Sequence, residues 1–281
     1  MKQPHNIIKQ EGKWCLYIKD EISTISTEKK ACKDINLTSE LFLSCPFINY
    51  IFQGQQVLFI IVAGSRLVNL TDEFSDFDLI VFTKQYYKPK IEYRLSYDGK
   101  VIHWYYRTFT ELLELTHPLE LCGLYQFQYL KANSYLYLDD HAKSLWEIFY
   151  KNRFIISQFG FESSYFALCT PCQLFLTTIE NYKNNLTEVL ANNSLAGLPL
   201  KFYHKILHMY YNVFNIDYNK DFILKVKRMR YTPLSNDDMQ HLIKDIQAYL
   251  DAMSNYKFNI NNLKEQWLNL WLNQIESIKQ G

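Results

Sequence analysis

Apolar positions change their spacing near residue 140. Before it they fall in short blocks of strand length, and after it they recur at three and four residues over long stretches. Lys13–Lys19 (KWCLYIK) alternates as a short strand does. Thr38–Phe52 reads as a helix that Thr38 or Ser39 would cap, with Pro46 kinking or dividing it and Gly54 ending it. Gln56–Ala63 (QVLFIIVA) is a continuous β-branched and aromatic run, which predicts a strand buried on both faces. It stops at Gly64-Ser65, and Phe77–Phe82 reads as a second buried strand. Ile91–Tyr97 and Val101–Arg107 flank Asp98-Gly99, a strong hairpin signal. Thr108 or Thr110 then caps a helix whose first turn holds Glu111. Downstream, Ser144–Phe154, Cys172–Ala191, Pro199–Phe214, Asn236–Ser254 and Ile260–Ile278 carry helical periodicity, punctuated at Asn192-Asn193-Ser194 and Thr232-Pro233. The pattern predicts an α+β protein. A small mixed β-sheet head with flanking helices (1–140, with 1–40 weakly patterned) precedes an α-helical bundle (141–281).

Composition narrows the function classes. Hydrophobic residues at 48% and charged residues at 21% describe a folded chain rather than a disordered one. The net charge of +1 lacks the basic excess that a long nucleic-acid footprint requires, so nucleic acid is an open partner that net charge does not indicate. Lys225–Arg230 (KVKRMR) is a local basic run, read first as the solvated face of a helix. The longest apolar stretch, Val57–Ala63, is too short to span a bilayer, and the start of the chain has no signal-peptide pattern. The six cysteines lack the spacing of a disulfide scaffold. The expectation is a cytoplasmic protein with no membrane partner.

The candidate chemistry sits between the two buried strands. Gly64 lets backbone approach a ligand closely, and Ser65 adds a hydroxyl and an amide, a combination suited to a phosphate tail. Asp76 and Asp78 stand at i and i+2 of the next strand, where period-two alternation puts both carboxylates on one face. Two such charges repel unless a cation lies between them, and a hard divalent ion takes oxygen ligands.

Gly64-Ser65, ten intervening residues and then Asp76-Phe77-Asp78-Leu79 resembles the signature of the nucleotidyltransferase superfamily that includes DNA polymerase β. In layout the chain is similar to the small bacterial and antibiotic-modifying members. The resemblance covers about residues 56–110. It implies that Gly64 and Ser65, with Arg66 and Ser75 nearby, hold a nucleoside triphosphate, ATP favoured. It implies too that Asp76 and Asp78 bind two Mg²⁺ ions. The implied reaction moves a nucleoside monophosphate to an acceptor hydroxyl, on a small molecule in preference to a macromolecule.

The resemblance also implies a third carboxylate near the start of the hairpin's second strand, and His103 falls in that place. Imidazole is a poor Mg²⁺ ligand, but it suits the task of general base toward the acceptor hydroxyl. A tight hairpin sets Arg94 opposite His103, and a cation there favours the neutral imidazole. Three readings stay open: His103 as base, a carboxylate such as Glu92 completing the site, or a domain that binds nucleotide without transferring it. A toxin- or antitoxin-type enzyme acting on tRNA or protein is a further alternative.

Other signals weigh less. Cys169-Thr170-Pro171-Cys172 has redox spacing at an expected helix start but no βαβ context, and is read as structural. His204 and His208 are at i, i+4 without the glutamate of a metalloprotease motif, and are read as packed or cleft-lining. Trp104 and the tyrosine-rich Tyr125–Tyr137 are read as packing residues.

Overall fold

The computed structural model is a mixed α+β protein. It describes residues 5–10, 13–18, 57–72, 75, 77–84, 93–97, 100–181, 194–195 and 197–279, with side chains for 57–72, 75, 78–84, 107–181, 194–195 and 197–273. No described helix is long and apolar enough to cross a membrane. Two compact units divide the chain. Unit 1 comprises Met1–Glu114, Gln126–Arg153 and Leu268–Gly281; unit 2 comprises Leu115–Tyr125 and Phe154–Trp267.

Unit 1 is built on a seven-stranded sheet of β1 (His5–Gln10), β2 (Lys13–Ile18), β3 (Val57–Ala63), β4 (Phe77–Thr83), β5 (Tyr93–Tyr97), β6 (Lys100–Arg107) and β7 (Tyr135–Leu138). The order is β2-β1-β5-β6-β4-β3-β7, with β4/β6 and β1/β5 parallel and the other pairs antiparallel. The expected helix Thr38–Phe52 lies outside the described residues, as do Asp98 and Gly99. Their flanking strands pair with Tyr97 opposite Lys100 and Arg94 opposite His103.

β3 and the middle of β4 (Leu79–Phe82) read as continuous apolar runs because both faces are covered there. Phe59, Ile60, Ile61, Leu79, Val81 and Phe82 have 0% exposure. Phe59 is the centre of an aromatic cluster, with ring centroids 4.6 Å from Phe82, 5.3 Å from Trp146 and from Phe149, and 5.8 Å from Phe109. Trp146 lies in the helix Lys143–Lys151, and its Nε1 donates to the Ala132 carbonyl at 2.8 Å, so the indole is buried with its one donor satisfied. Trp271 stacks on Phe109 at 4.1 Å, which ties the last turns of the chain to this core. Fully burying each such ring contributes about 1.5–3 kcal/mol.

Thr108 and Glu111 form a reciprocal capping box. The Thr108 N–H donates to Glu111 Oε2 at 2.7 Å, and the Glu111 N–H donates to Thr108 Oγ1 at 3.2 Å. This fixes the turn between β6 and the short helix Glu111–Glu114.

Unit 2 contains a helix whose bounds differ from those the periodicity predicts. The apolar spacing marks a separate helix over Cys172–Ala191, whereas a single helix runs Arg153–Asn181 with Pro171 inside it. Residues 159–164 are buried all the way round, so no amphipathic stripe marks this segment. A Cβ on Gly160 would come within 2.5 Å of Leu124 Cβ, so glycine lets the helix Pro118–Leu124 cross closely there. Tyr203–Val213, Lys220–Arg228, Asn236–Ser254 and the helix beginning at Ile260 complete the unit. Ser235 and Asn219 cap two of these, accepting from the amides of Asp238 at 3.1 Å and Asp221 at 2.9 Å.

Candidate functional site

Five helices bear on the candidate sites. The single-turn helix Gly64–Leu67 is α1, Arg153–Asn181 is α2, Tyr203–Val213 is α3, Lys220–Arg228 is α4 and Asn236–Ser254 is α5. β3 ends at Ala63, and the chain turns at once into α1 through Gly64, whose φ is +67°. This left-handed conformation costs glycine little and other residues more. A second constraint comes from the neighbouring strand. Ala63 is opposite Asp78, and a Cβ built on Gly64 would lie 2.0 Å from Asp78 Oδ2 and 2.9 Å from its Cγ. The Asp78 carboxylate therefore rests on the bare Cα of Gly64. Turn and carboxylate converge because glycine leaves the room.

The rest of the turn is closed by its own backbone. Asn69 takes φ +56°, its N–H donates to Arg66 O at 3.3 Å, and the Leu70 N–H donates to Ser65 O at 2.8 Å. Those two bonds are a Schellman closure, with asparagine in the place usually given to glycine. No side chain caps the start of α1. Ser65 and Arg66 are half-buried on this turn.

Ser75 is occupied within its own loop. Its hydroxyl donates to Asp72 Oδ1 at 2.8 Å and accepts from the Asp72 N–H at 2.8 Å, and the residue is 4% exposed. Of the roles expected for it, holding the loop that leads into β4 is the one these bonds describe. Asn69 and Asp72 are absent from the sequence-level site, yet both fix the loop. An asparagine two residues past a one-turn helix and an Asp-x-x-Ser spacing are the local signals for them.

The backbone register sets a row across four strands. Ala63 pairs with Asp78, Asp78 with His103 on parallel β6, and His103 with Arg94 on β5. The position expected for a third carboxylate is thus abreast of Asp78, and histidine occupies it. Asp76 and Glu92 lie outside the described residues. Glu111, the carboxylate that follows β6, is used in its capping box.

Asp78 supplies the hard oxygen donors that suit Mg²⁺, directly beside the turn. Among the described residues, no group of three or more His, Cys, Asp or Glu side chains is arranged to hold a metal ion.

The secondary candidates resolve as packing. Cys169 and Cys172 lie inside α2 rather than at the helix start that the redox spacing implied. Cys172 is fully buried, and burial pushes its thiol well above the ordinary range; the buried thiol of Cys122 is pushed up to about 12. His204 and His208 are 4% and 2% exposed within unit 2. His204 Nδ1 meets the Lys201 carbonyl, and the His208 ring packs edge-on against Tyr125 and Tyr218 at 5.7 and 5.6 Å. Burial lowers both imidazoles, His208 to about 4. Tyr125 and Phe127 are core residues, and Tyr135–Leu138 forms β7.

A scan against protein-family models and a search of curated proteins find no match for this chain.

Proposed function

We propose that this protein is a nucleoside-triphosphate-dependent nucleotidyltransferase, with ATP as the favoured donor and a small hydroxylated molecule as the favoured acceptor. One observation carries the reading: the Asp78 carboxylate seated on Gly64, where a Cβ would stand 2.0 Å from Oδ2. That contact joins the two halves of the sequence signature, a phosphate-suited turn and a metal-suited carboxylate, which the chain separates by a loop. The sheet unit then serves as the nucleotide-binding head.

In this reading the amides of Gly64 and Ser65 and the Ser65 hydroxyl hold the terminal phosphates, with Arg66 adding positive charge. Asp78, together with Asp76, would hold Mg²⁺, which when bound supplies charge neutralisation on the triphosphate and the departing pyrophosphate. His103 takes the proton from the acceptor hydroxyl. The hydroxyl oxygen forms its bond to the α-phosphorus, and the bond to pyrophosphate breaks. Arg94, abreast of His103, favours the neutral imidazole that this step needs.

Histidine in register with Asp78 also favours a second reading, a domain that binds nucleotide without transferring it. Calorimetric titration of each nucleoside triphosphate, with and without Mg²⁺, separates the cases when run beside Asp78→Asn, Asp76→Ala and Gly64→Ala. Mg²⁺-dependent binding lost in all three variants supports the site, and absence of binding to any nucleotide removes it. If transfer to a hydroxyl acceptor is then measurable, His103→Ala should lower turnover about 10²–10⁴-fold with little change in nucleotide affinity. Binding with no transfer to any acceptor supports the second reading.

A further inference from the structure

The loop between the glycine-serine turn and β4 is held at both ends. Leu70, 2% exposed, anchors the near end, where its N–H donates to Ser65 O at 2.8 Å. Ser75, 4% exposed, anchors the far end, and three hydrogen bonds join it to half-buried Asp72. The Ser75 N–H donates to Asp72 O at 3.1 Å. The Asp72 N–H donates to Ser75 Oγ at 2.8 Å, and the Ser75 hydroxyl donates to Asp72 Oδ1 at 2.8 Å.

The carboxylate has a distinct part in this ring. A hydroxyl carries one proton and two lone pairs, so Ser75 Oγ can accept from the Asp72 amide while its proton still turns. Asp72 Oδ1 fixes that proton, and a hydrogen bond to an ionised acceptor is stronger than one between neutral groups. What the ring holds follows from the chain. β4 begins at Phe77, and its ladders with β3 and β6 set Asp78. Asp76 comes one residue before that strand and one after Ser75. The loop delivers this stretch into β4, and Ser75 is the residue by which the loop is gripped.

We infer that Asp72 is a positioning residue for the metal site. It holds Ser75, and Ser75 sets the chain so that Asp76 meets the same Mg²⁺ as Asp78. This rests on the nucleotidyltransferase reading and adds to it a residue that acts through another. Partners that orient metal ligands in this way are worth about 10–100-fold in metal affinity.

The test is calorimetric titration of ATP, GTP, CTP and UTP into the full-length chain across a Mg²⁺ series, with Asp78→Asn as the reference variant. Asp72→Ala should raise the Mg²⁺ concentration for half-maximal nucleotide binding about 10–100-fold and leave Mg²⁺-free binding unchanged. Ser75→Ala should do the same. Asp72→Ala/Ser75→Ala should be no worse than either single variant, because both break one ring. Asp72→Asn keeps a side-chain oxygen for the Ser75 hydroxyl and should restore most of the affinity. Thermal melts check that each variant is folded; should Asp72→Ala fail to fold, the Mg²⁺ shift of Ser75→Ala decides. If the wild-type chain shows Mg²⁺-dependent binding of none of the four nucleotides, the nucleotidyltransferase reading fails and the role of Asp72 falls with it. If the wild type binds, Asp78→Asn does not, and folded Asp72→Ala binds as the wild type does, the reading stands and the inference alone is overturned. A lower melting temperature for Asp72→Ala with unchanged Mg²⁺ dependence also overturns it, leaving the ring a brace for the loop. So does Asp72→Asn as weak as Asp72→Ala, since the charge of Asp72 rather than its bond to Ser75 would then serve the metal.

Discussion

The two units bury polar groups in different places. In unit 1 the interior around Phe59 is a cluster of aromatic rings, and the buried polar residues Ser75, Thr83, Arg107, Thr108, Glu111 and Gln126 stand at strand ends, in loops or in short helical turns. In unit 2 they sit within long helices: Ser157, Glu162, Ser163 and Ser164 in α2, His204 and His208 in α3. Glu162 and Ser164 find partners inside. Glu162 accepts from Gln158 Nε2 at 2.9 Å, from the Tyr256 hydroxyl at 3.3 Å and from the Asn259 N–H at 2.5 Å. Ser164 donates to Phe161 O at 2.8 Å. A dry core fails when volume is removed, whereas a core holding neutral imidazoles fails when they are forced to take a proton.

The largest effect that would break this comparison is in the dry core. Phe59→Ala should cost about 3–5 kcal/mol, because its ring touches four others that cannot all collapse into the space. Denaturant melts with hydrogen exchange at the β3 and β4 amides read this directly. A loss below about 1 kcal/mol would mean that the cluster is not the centre of unit 1.

A smaller effect belongs to unit 2 and depends on pH. The folded-state value of His208 is lowered from 6.5 to about 4 by burial. Between those values the unfolded chain binds a proton that the folded chain refuses, so stability falls as pH drops through 6.5 toward 4. From pH 6.5 to 5 this amounts to about 2 kcal/mol from His208, and His204 shifts in the same direction. Exchange at α3 amides should therefore quicken on acidification before exchange at β3 does. His208→Phe should flatten much of that slope; an unchanged slope would assign the acid sensitivity to other groups.

The smallest effect sharpens the picture of unit 1. Thr108→Ala removes one half of a buried capping box and should cost about 1 kcal/mol, with Thr108→Ser restoring most of it. Thermal melts of the two variants decide it. If serine and alanine destabilise equally, packing of the threonine methyl rather than its hydroxyl holds the turn.

Much of the local structure is legible in the sequence. Gln56–Ala63 and Phe77–Phe82 stand out as buried strands, formed as Val57–Ala63 and Phe77–Thr83, because residues 57–63 and 79–82 are continuous apolar runs. The Thr-x-x-Glu spacing at 108–111 predicts its cap, and the Asp-Gly hairpin predicts Arg94 opposite His103, the register the strands adopt. The bounds of α5, Asn236–Ser254, follow from its single apolar stripe. Those of α2 do not, since its buried middle has no polar face to set a period, and Pro171 reads locally as a boundary. The helix Pro118–Leu124 escapes a periodicity reading as well, being only two turns long.

By itself the sequence determined the candidate chemistry's ingredients: a glycine-serine turn, two aspartates and a histidine at strand positions. These are properties of side-chain type and of period-two spacing, which act over a few residues. Only the tertiary structure decided that Asp78 rests on Gly64 and that Ser75 is engaged with Asp72. Those relations join segments far apart in the chain or depend on how a loop folds back on itself. They follow from strand pairing and loop closure, which no local pattern encodes.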